Sequence, residues 1–385
     1  MLLKQGAARP ADHFPMSERL ERRLARRGGR VEFLRLPAAL FGVAARARSA
    51  LYDRRLLPVT ELDVPVVSVG NLTAGGTGKT PMVAWIVRAL AGRGWRAGIL
   101  SRGYGPSGYG PSRVRSRAEG LTRNLNDEGR LLARLLPDVP HVQDKHRVRG
   151  AWLLARQGVD AIVVDDGFQH RRLHRDLDVV LVDVTRPWGL AAPPEGGEPV
   201  RAFLPRGLLR EPPPALARAD VIVITRADAA SEAELARLSG RIEAFAPGRP
   251  IALARHAPVA LRAADGTDAG LGFLGGRAVD LVSGVGNPEA FEATVRALGA
   301  TVREHRVFPD HHDYGPEDLA GYGERPVVTT AKDAVKLECF AGPLYVLDVE
   351  LEFVSGESVL HALLEALPES PRLLERRALH EGLHG

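Results

Sequence analysis

The stretch Val64-Pro65-Val66-Val67-Ser68-Val69-Gly70-Asn71-Leu72-Thr73-Ala74-Gly75-Gly76-Thr77-Gly78-Lys79-Thr80-Pro81 leaves this chain few ways to fold. An apolar run ends in a glycine-rich loop, the loop closes on Gly78-Lys79-Thr80, and Val83, Ile86, Val87 and Leu90 follow at helical spacing. Strand, loop and helix in that order form a phosphate-binding P-loop. Glycines let backbone amides curl around an anion, and the helix N-terminus adds free amides and a positive dipole end. The expected cradle is Thr73, Ala74, Gly75, Gly76, Thr77, Gly78, Lys79 and Thr80. Lys79 reaches the outer phosphates of a nucleoside triphosphate, and the Thr80 hydroxyl is a magnesium ligand. The usual pattern places glycine where this chain has Thr73, and Gly75 and Gly76 supply the flexibility instead.

A second apolar run, Val159 to Val164, ends in Asp165-Asp166, where an acidic magnesium ligand belongs in such a sheet. His170 and His174 follow. They read either as metal ligands or as surface histidines. Further strands are expected at Ala97–Ser101, Leu177–Asp183 and Asp220–Thr225, the last running into Thr225-Arg226-Ala227-Asp228. That tetrapeptide resembles the guanine-reading N/T-K-x-D of GTPases with arginine in the lysine position. Asn126-Asp127-Glu128 precedes a helix carrying Leu131, Leu132 and Leu135, so its acids read as caps or as functional groups. Residues 106–120, rich in Gly, Ser and Arg, read as a loop that is either a lid or filler.

The alternation of strands and helices predicts an α/β fold, a P-loop NTPase-type doubly wound and mostly parallel sheet. From about residue 251 the pattern restarts, which predicts a second, smaller α/β lobe. The expected divisions are a basic extension over 1–30, an amphipathic helix within 31–56, the P-loop domain over 57–250, the smaller lobe over 251–350, and a C-terminal helix and tail over 351–385.

Charge adds one constraint. Residues 1–60 hold 13 Lys and Arg against 5 Asp and Glu, whereas the rest of the chain is net −3. Leu40, Phe41, Ala44, Ala47 and Leu51 lie at near-helical spacing, flanked by Arg46, Arg48, Arg54 and Arg55. Such a helix either lies in a membrane interface against anionic lipid or packs on its own domain with solvated arginines. Aromatic residues are too sparsely interleaved here for a nucleic-acid surface. No apolar stretch approaches the roughly 20 residues of a spanning helix, and arginines interrupt any signal-like core in Met1–Arg30. The single cysteine, Cys339, excludes an internal disulfide framework.

Six motifs occur in a fixed order: Gly70 to Pro81; Ser101-Arg102-Gly103-Tyr104-Gly105; Asp165-Asp166-Gly167-Phe168-Gln169-His170; Leu208-Leu209-Arg210-Glu211; Phe308-Pro309-Asp310-His311-His312; and Thr329-Thr330-Ala331-Lys332-Asp333. The set resembles the tetraacyldisaccharide 4'-kinases of lipid A biosynthesis from about residue 35 to 350. The resemblance implies ATP- and Mg2+-dependent phosphorylation of the 4'-hydroxyl of a tetraacylated glucosamine disaccharide 1-phosphate. The enzyme would be a monomer, cytoplasmic and peripheral on the inner membrane, beside anionic lipid. It also implies roles: Asp127 as the base, His311 as its partner, Arg210 on substrate or γ-phosphate charge, and Asp165 or Asp166 on the metal. The family usually reads Gly-Asp-Glu-Pro around the base, whereas this chain reads Asn126-Asp127-Glu128-Gly129. His312 is adjacent to His311, so either could pair with Asp127. Two other classes use the same P-loop: a GTPase switch or metallochaperone using Asp228 and His170/His174, and a membrane-bound partitioning ATPase.

Overall fold

The computed structural model describes residues 24–25, 28–103, 112–114, 125–190, 199–309, 312–322, 324–337, 340, 342–369, 373–375 and 378. The rest of the basic extension, most of the 106–120 loop, Tyr104, Gly105, Asp310, His311 and Cys339 lie outside them.

Strands β1 (Val66–Asn71), β2 (Ala97–Ser101), β4 (His141–Gln143), β5 (Ala161–Asp165), β6 (Leu177–Asp183) and β7 (Val221–Thr225) form the P-loop half of the sheet. All are buried on both faces, as parallel strands covered by helices must be. Helix α2 (Lys79–Ala91) buries Met82, Val83, Ile86, Val87 and Leu90 against one face. Helix α5 (Glu232–Phe245) closes the other with Leu238 and Ile242, beside Phe168 and Trp188. Strand β3 (Ser112–Val114), antiparallel to β4, lies inside the stretch read as a loop. It is too short for an apolar period to reveal.

The described strands make a single twelve-stranded sheet in the order β10-β9-β11-β12-β8-β7-β6-β1-β5-β2-β4-β3. β9 (Ala278–Ser283), β10 (Thr301–Val307) and β11 (Val327–Thr330) belong to the second α/β stretch. Hydrogen bonding runs unbroken across residue 251 because β8 (Ile251–Ala263) pairs in parallel with β7 at its start and antiparallel with β12 (Leu344–Ser355) over the rest. β1 lies between β6 and β5, so neighbouring strands are reached in opposite directions from it. Ligands of such sheets bind at that switch point, beyond the strands' carboxyl ends.

Helix α1 (Arg35–Asp53) packs through Ala38 and Gly42, its two buried residues. A Cβ on Gly42 would stand 2.6 Å from the Phe203 ring, which is why glycine occupies that contact. The larger apolar residues face outward: Leu36, Leu40 and Val43 are 70%, 64% and 62% exposed, and Phe33, in the 3-10 turn just before the helix, is 82% exposed. Leu36, Leu40 and Val43 recur four and three residues apart and so share one face of the helix. Among the described residues no helix is long and apolar enough to cross a membrane.

Candidate active site

The P-loop leaves β1 through Leu72 and Thr73. Thr73 forms a bridge with Leu209, flanked by the bonds Ala74 N to Leu208 O (2.8 Å) and Arg210 N to Leu72 O (2.8 Å). An extended, bridged residue needs no glycine. The positive φ angles fall later, at Gly75 (109°) and Gly78 (90°), which explains why Thr73 is tolerated. Asn71 Nδ2 donates to Thr77 Oγ1 (2.8 Å), and Thr225 Oγ1 donates to the Thr77 carbonyl (3.0 Å). The cradle is thus tied to the ends of β1 and β7.

Arg226 lies at the same place. Its guanidinium donates to the Gly76 carbonyl (3.3 Å) and pairs with the fully enclosed carboxylate of Asp183. It is a brace for the loop, and its charge is spent. His256 on β8 touches the loop from the other side; a Cβ on Gly78 would stand 2.5 Å from its Nε2. That Nε2 is shielded and has no hydrogen-bond partner. Burial, helped by Arg226, lowers the imidazole to about 4 and keeps it neutral.

The acidic pair after β5 divides its work. Asp166, at φ 54°, takes both oxygens to Arg210 (2.8 and 2.9 Å) and stands 3.6 Å from Lys79 Nζ. Burial would raise its carboxyl, but Lys79 and Arg210 outweigh burial and hold it below the usual range. Asp165 is raised by burial and by the neighbouring Glu128. Its Oδ1 is buried without a hydrogen-bond partner. A buried, unsatisfied carboxylate oxygen is costly unless a ligand completes it. With Thr80 in the same cleft, it fits magnesium, which takes one or two carboxylates and otherwise relies on phosphates and water. Arg147 supports the pair from behind, donating to the Asp165 carbonyl (2.8 Å).

Asp127 is the first residue of α3 (Asp127–Leu135), where free amides favour a carboxylate. Asn126 caps this helix, accepting from Gly129 N (2.9 Å). So Asn126 does the capping, and Asp127 is left to face the cleft. There it forms an ion pair with Lys336, whose Nζ also donates to the His312 carbonyl (2.9 Å). The His312 ring is engaged elsewhere, with Asp318 (2.8 Å) and stacked on Phe308. Asp333 organises the facing wall, accepting from Gly284 N (3.0 Å), Tyr314 OH (3.0 Å) and Thr330 Oγ1 (2.6 Å).

One cleft of about 1050 Å³ joins these parts. It is lined by Gly75 to Pro81, Asp127, Glu128, Asp165, Asp166, Arg210, Arg226, Asp228 and His256, and on the far side by α6 (Pro288–Ala297) and Lys332. Of the residues expected from sequence, Gly75, Gly76, Thr77, Gly78, Lys79, Thr80, Asp127, Asp165, Asp166 and Arg210 share this cleft. Thr73 and Ala74 hold the loop's entry. His170 is not among its lining residues, and burial plus Arg147, Arg48, Arg175 and Arg102 hold that histidine near 4. Such a positive surrounding repels a metal ion. Among the described residues no group of three or more His, Cys, Asp or Glu is placed to hold one. Arg147, Asp183, His256 and Lys336 were not legible as site residues, because each acts through a partner distant in sequence, and Arg226 was read there in a different role.

The sequence profile of the Tetraacyldisaccharide-1-P 4'-kinase family matches residues 31–368. A tetraacyldisaccharide 4'-kinase of Anaeromyxobacter dehalogenans (strain 2CP-C) is 43% identical over 348 residues, covering 86% of this chain and 89% of the relative. One of Syntrophus aciditrophicus is 37% identical over 353 residues, covering 86% and 91%. The crystal structure of LpxK from Aquifex aeolicus in complex with ATP is 30% identical, with a TM-score of 0.69 over 88% of this chain and 99% of that one.

Proposed function

The chain belongs to the tetraacyldisaccharide-1-phosphate 4'-kinase family, and from that premise we propose how its cleft works. The enzyme phosphorylates the 4'-hydroxyl of a tetraacyldisaccharide 1-phosphate, a lipid A precursor, at the expense of ATP. The observation that carries the site assignment is that one cleft holds the Gly75–Thr80 cradle on one side and Asp127 on the other.

The P-loop amides and Lys79 bind the ATP phosphates. Lys79 and Arg210 both lie against Asp166, so an incoming phosphate competes with a carboxylate for cations already in place. They neutralise charge that spreads over the transferred group. Thr80 and Asp165 hold Mg2+, which supplies further charge neutralisation when bound. Asp127 accepts the proton of the attacking hydroxyl and orients it for in-line transfer. Lys336 pairs with Asp127 and ties it to the segment that follows His311. That tie supports His311, rather than His312 with its ring on Asp318, as the partner that shares the proton. Arg226, spent on Asp183 and Gly76, leaves the guanine-reading role of Thr225–Asp228 without its cation. The outward apolar face of α1 and its arginines support peripheral binding to anionic lipid on the inner face of the membrane.

Transfer of labelled γ-phosphate from ATP to the disaccharide in detergent micelles tests this, with Lys79→Ala and Asp127→Ala beside the wild type. Both variants are expected to lose at least about 10²-fold in turnover. Full turnover in Asp127→Ala would remove the base assignment and leave the kinase standing.

A further inference from the structure

Behind the far wall of the cleft runs a hydrogen-bonded chain that the mechanism above does not use. His305, on β10, reaches two elements at once. Its Nε2 lies 2.8 Å from Ser283 Oγ at the end of β9, and its Nδ1 lies 2.9 Å from Glu292 Oε2 on α6. The other Glu292 oxygen accepts two bonds from Arg296 (2.9 and 2.7 Å). Burial opposes the charge on Glu292, but the bonds from His305 and Arg296 outweigh it and hold the carboxyl below its usual range. An ionised carboxylate only accepts, so Nδ1 carries a proton. Burial also lowers the imidazole, against the pull of Glu292, so Nε2 is bare and accepts the Ser283 hydroxyl. Ser283 is fully buried, so this chain of bonds is a strut and not a reacting centre.

We propose that His305 is a positioning residue for phosphoryl transfer, its Nδ1 setting the wall that meets the nucleotide and its Nε2 setting the base. The inference rests on the site assignment above, with ATP on the Gly75–Thr80 cradle and Asp127 as the base. The Nδ1 arm ends on α6, which lines the cleft through Ala290, Phe291, Ala293 and Thr294. Phe291, next to Glu292, meets the His305 ring in a T-shaped contact with centroids 5.9 Å apart. Asn287 caps the helix, accepting from Ala290 N (3.1 Å). The turn before that cap is pressed on the cradle: a Cβ on Gly286 would stand 2.7 Å from Gly76 N. Releasing Glu292 therefore frees the helix that faces the phosphate loop and loosens the hold on ATP.

The Nε2 arm leads to the base. Ser283 accepts from Phe308 N through its carbonyl (2.7 Å), and the next residue, Gly284, donates its N–H to Asp333 (3.0 Å). The Asp333 carbonyl accepts from Lys336 N (2.9 Å), and Lys336 is ion-paired with Asp127. Bonds thus run from His305 through Ser283, Gly284, Asp333 and Lys336 to the carboxylate that takes the proton. Small displacements of a reacting group cost rate more than affinity, so this arm should show in the chemical step and the other in nucleotide binding. One ring serves both, through nitrogens that can be removed one at a time.

The test reads two quantities for each variant: equilibrium binding of ATP without acceptor, and single-turnover transfer to the micellar disaccharide at saturating ATP. His305→Asn places an amide N–H near the Nδ1 position and so keeps the Glu292 arm alone. His305→Gln places an amide oxygen near the Nε2 position and keeps the Ser283 arm alone. The asparagine variant should bind ATP within about twofold of wild type and transfer about tenfold more slowly. The glutamine variant should bind ATP about tenfold more weakly and transfer within about threefold of wild type. Ser283→Ala should reproduce the asparagine pattern, and His305→Phe should show both defects. Any other pattern overturns the proposal, including equal losses of affinity and rate in every variant, which bare destabilisation would give, and wild-type values in His305→Phe. Urea unfolding of each variant confirms that the readings come from folded protein. The site assignment fails separately: Lys79→Ala with wild-type ATP affinity and transfer would remove it, whatever the His305 variants do.

Discussion

Gly70→Ala is the substitution whose cost can be followed furthest from coordinates to catalysis. Gly70 sits near the end of β1, and a Cβ there would stand 2.5 Å from Phe168 Cβ and 2.8 Å from its backbone nitrogen. Non-bonded carbons rest about 3.5–4.0 Å apart, so the turn holding Phe168 must retreat by about 1 Å. It cannot do so freely. Phe168 is fully buried under the Arg218 guanidinium, and Gly167 N donates to Val69 O (3.0 Å). Overpacking of this kind costs about 1–3 kcal/mol, and the upper end applies because the opposing atoms include backbone. The same turn begins with Asp165 and Asp166, so a shift of about 1 Å there should lower turnover by about 10². Urea unfolding and single-turnover transfer of γ-phosphate measure the two effects. Gly92→Ala is the control: its backbone is helical (φ −60°) and the nearest atom is at 3.5 Å, so stability should hold or rise by about 0.4–1 kcal/mol. A Gly70→Ala protein with wild-type turnover would refute the claim that this contact sets the position of the acidic pair.

Other outcomes follow from the same structure. Arg226→Ala leaves buried Asp183 with only Arg186 at 3.8 Å and its Thr185 hydrogen bonds, and should cost about 2 kcal/mol in denaturant unfolding; a loss under about 0.5 kcal/mol would show that the pair does not hold the loop. Arg226→Lys restores the guanine-reading consensus, yet the enzyme should still prefer ATP to GTP in competition. Burial holds His141 at about 3, and holds His170 and His256 at about 4, against 6.5 when unfolded. The unfolded chain then takes up protons first, so stability is full above about pH 6.5 and falls as pH drops toward 4. The slope is at most about 1.4 kcal/mol per pH unit for each histidine. His141→Asn should flatten that slope by one proton in urea titrations at pH 7.5, 5.5 and 4.5; an unchanged slope would remove His141 from the account. Leu40→Glu/Val43→Glu should weaken sedimentation with anionic vesicles at least about tenfold while leaving transfer to micellar substrate measurable; unchanged sedimentation would exclude α1 as the membrane face.

Local chemistry was readable, and long-range bracing was not. The P-loop, the acidic pair and the strands around them follow from runs of apolar residues closed by a few characteristic side chains, because phosphate binding makes demands within a single loop. Asp127 could be singled out only through family resemblance, since an acid at a helix start caps more often than it reacts. What separates the two roles is Asn126, which takes the capping bond itself. β8 escaped notice because its burial is irregular along its length: it leaves the P-loop half and continues as one ribbon with β12, so neither a buried run nor clean alternation marks it. Arg226, read from sequence as a degenerate base-reading residue, turned out to serve the loop's backbone; only the position of Asp183 in space distinguishes the two.

The departure around the base has a physical account in the same neighbourhood. Where the family usually carries proline, a helix-start residue without an N–H has nothing to offer a cap. Here Gly129 supplies that N–H, and Asn126 accepts it. The exchange reaches a third residue. Gln143 Nε2 donates to the same Asn126 oxygen (2.6 Å), while its Oε1 accepts from Asn126 N (3.2 Å). Gln143 lies so close that a Cβ on Gly129 would stand 2.2 Å from its Nε2. Asn126, Gly129 and Gln143 therefore form one unit: the asparagine requires the amide, and the glutamine requires the missing side chain. The unit pins the first turn of α3 to the end of β4 and leaves Asp127 and Glu128 between its anchors, facing the cleft. Restoring proline alone at 129 would remove the cap and drive a ring into Gln143, so that single change should damage this enzyme more than truncating Asn126 does. The acid pair is kept in place by a local unit in which each bond depends on the others.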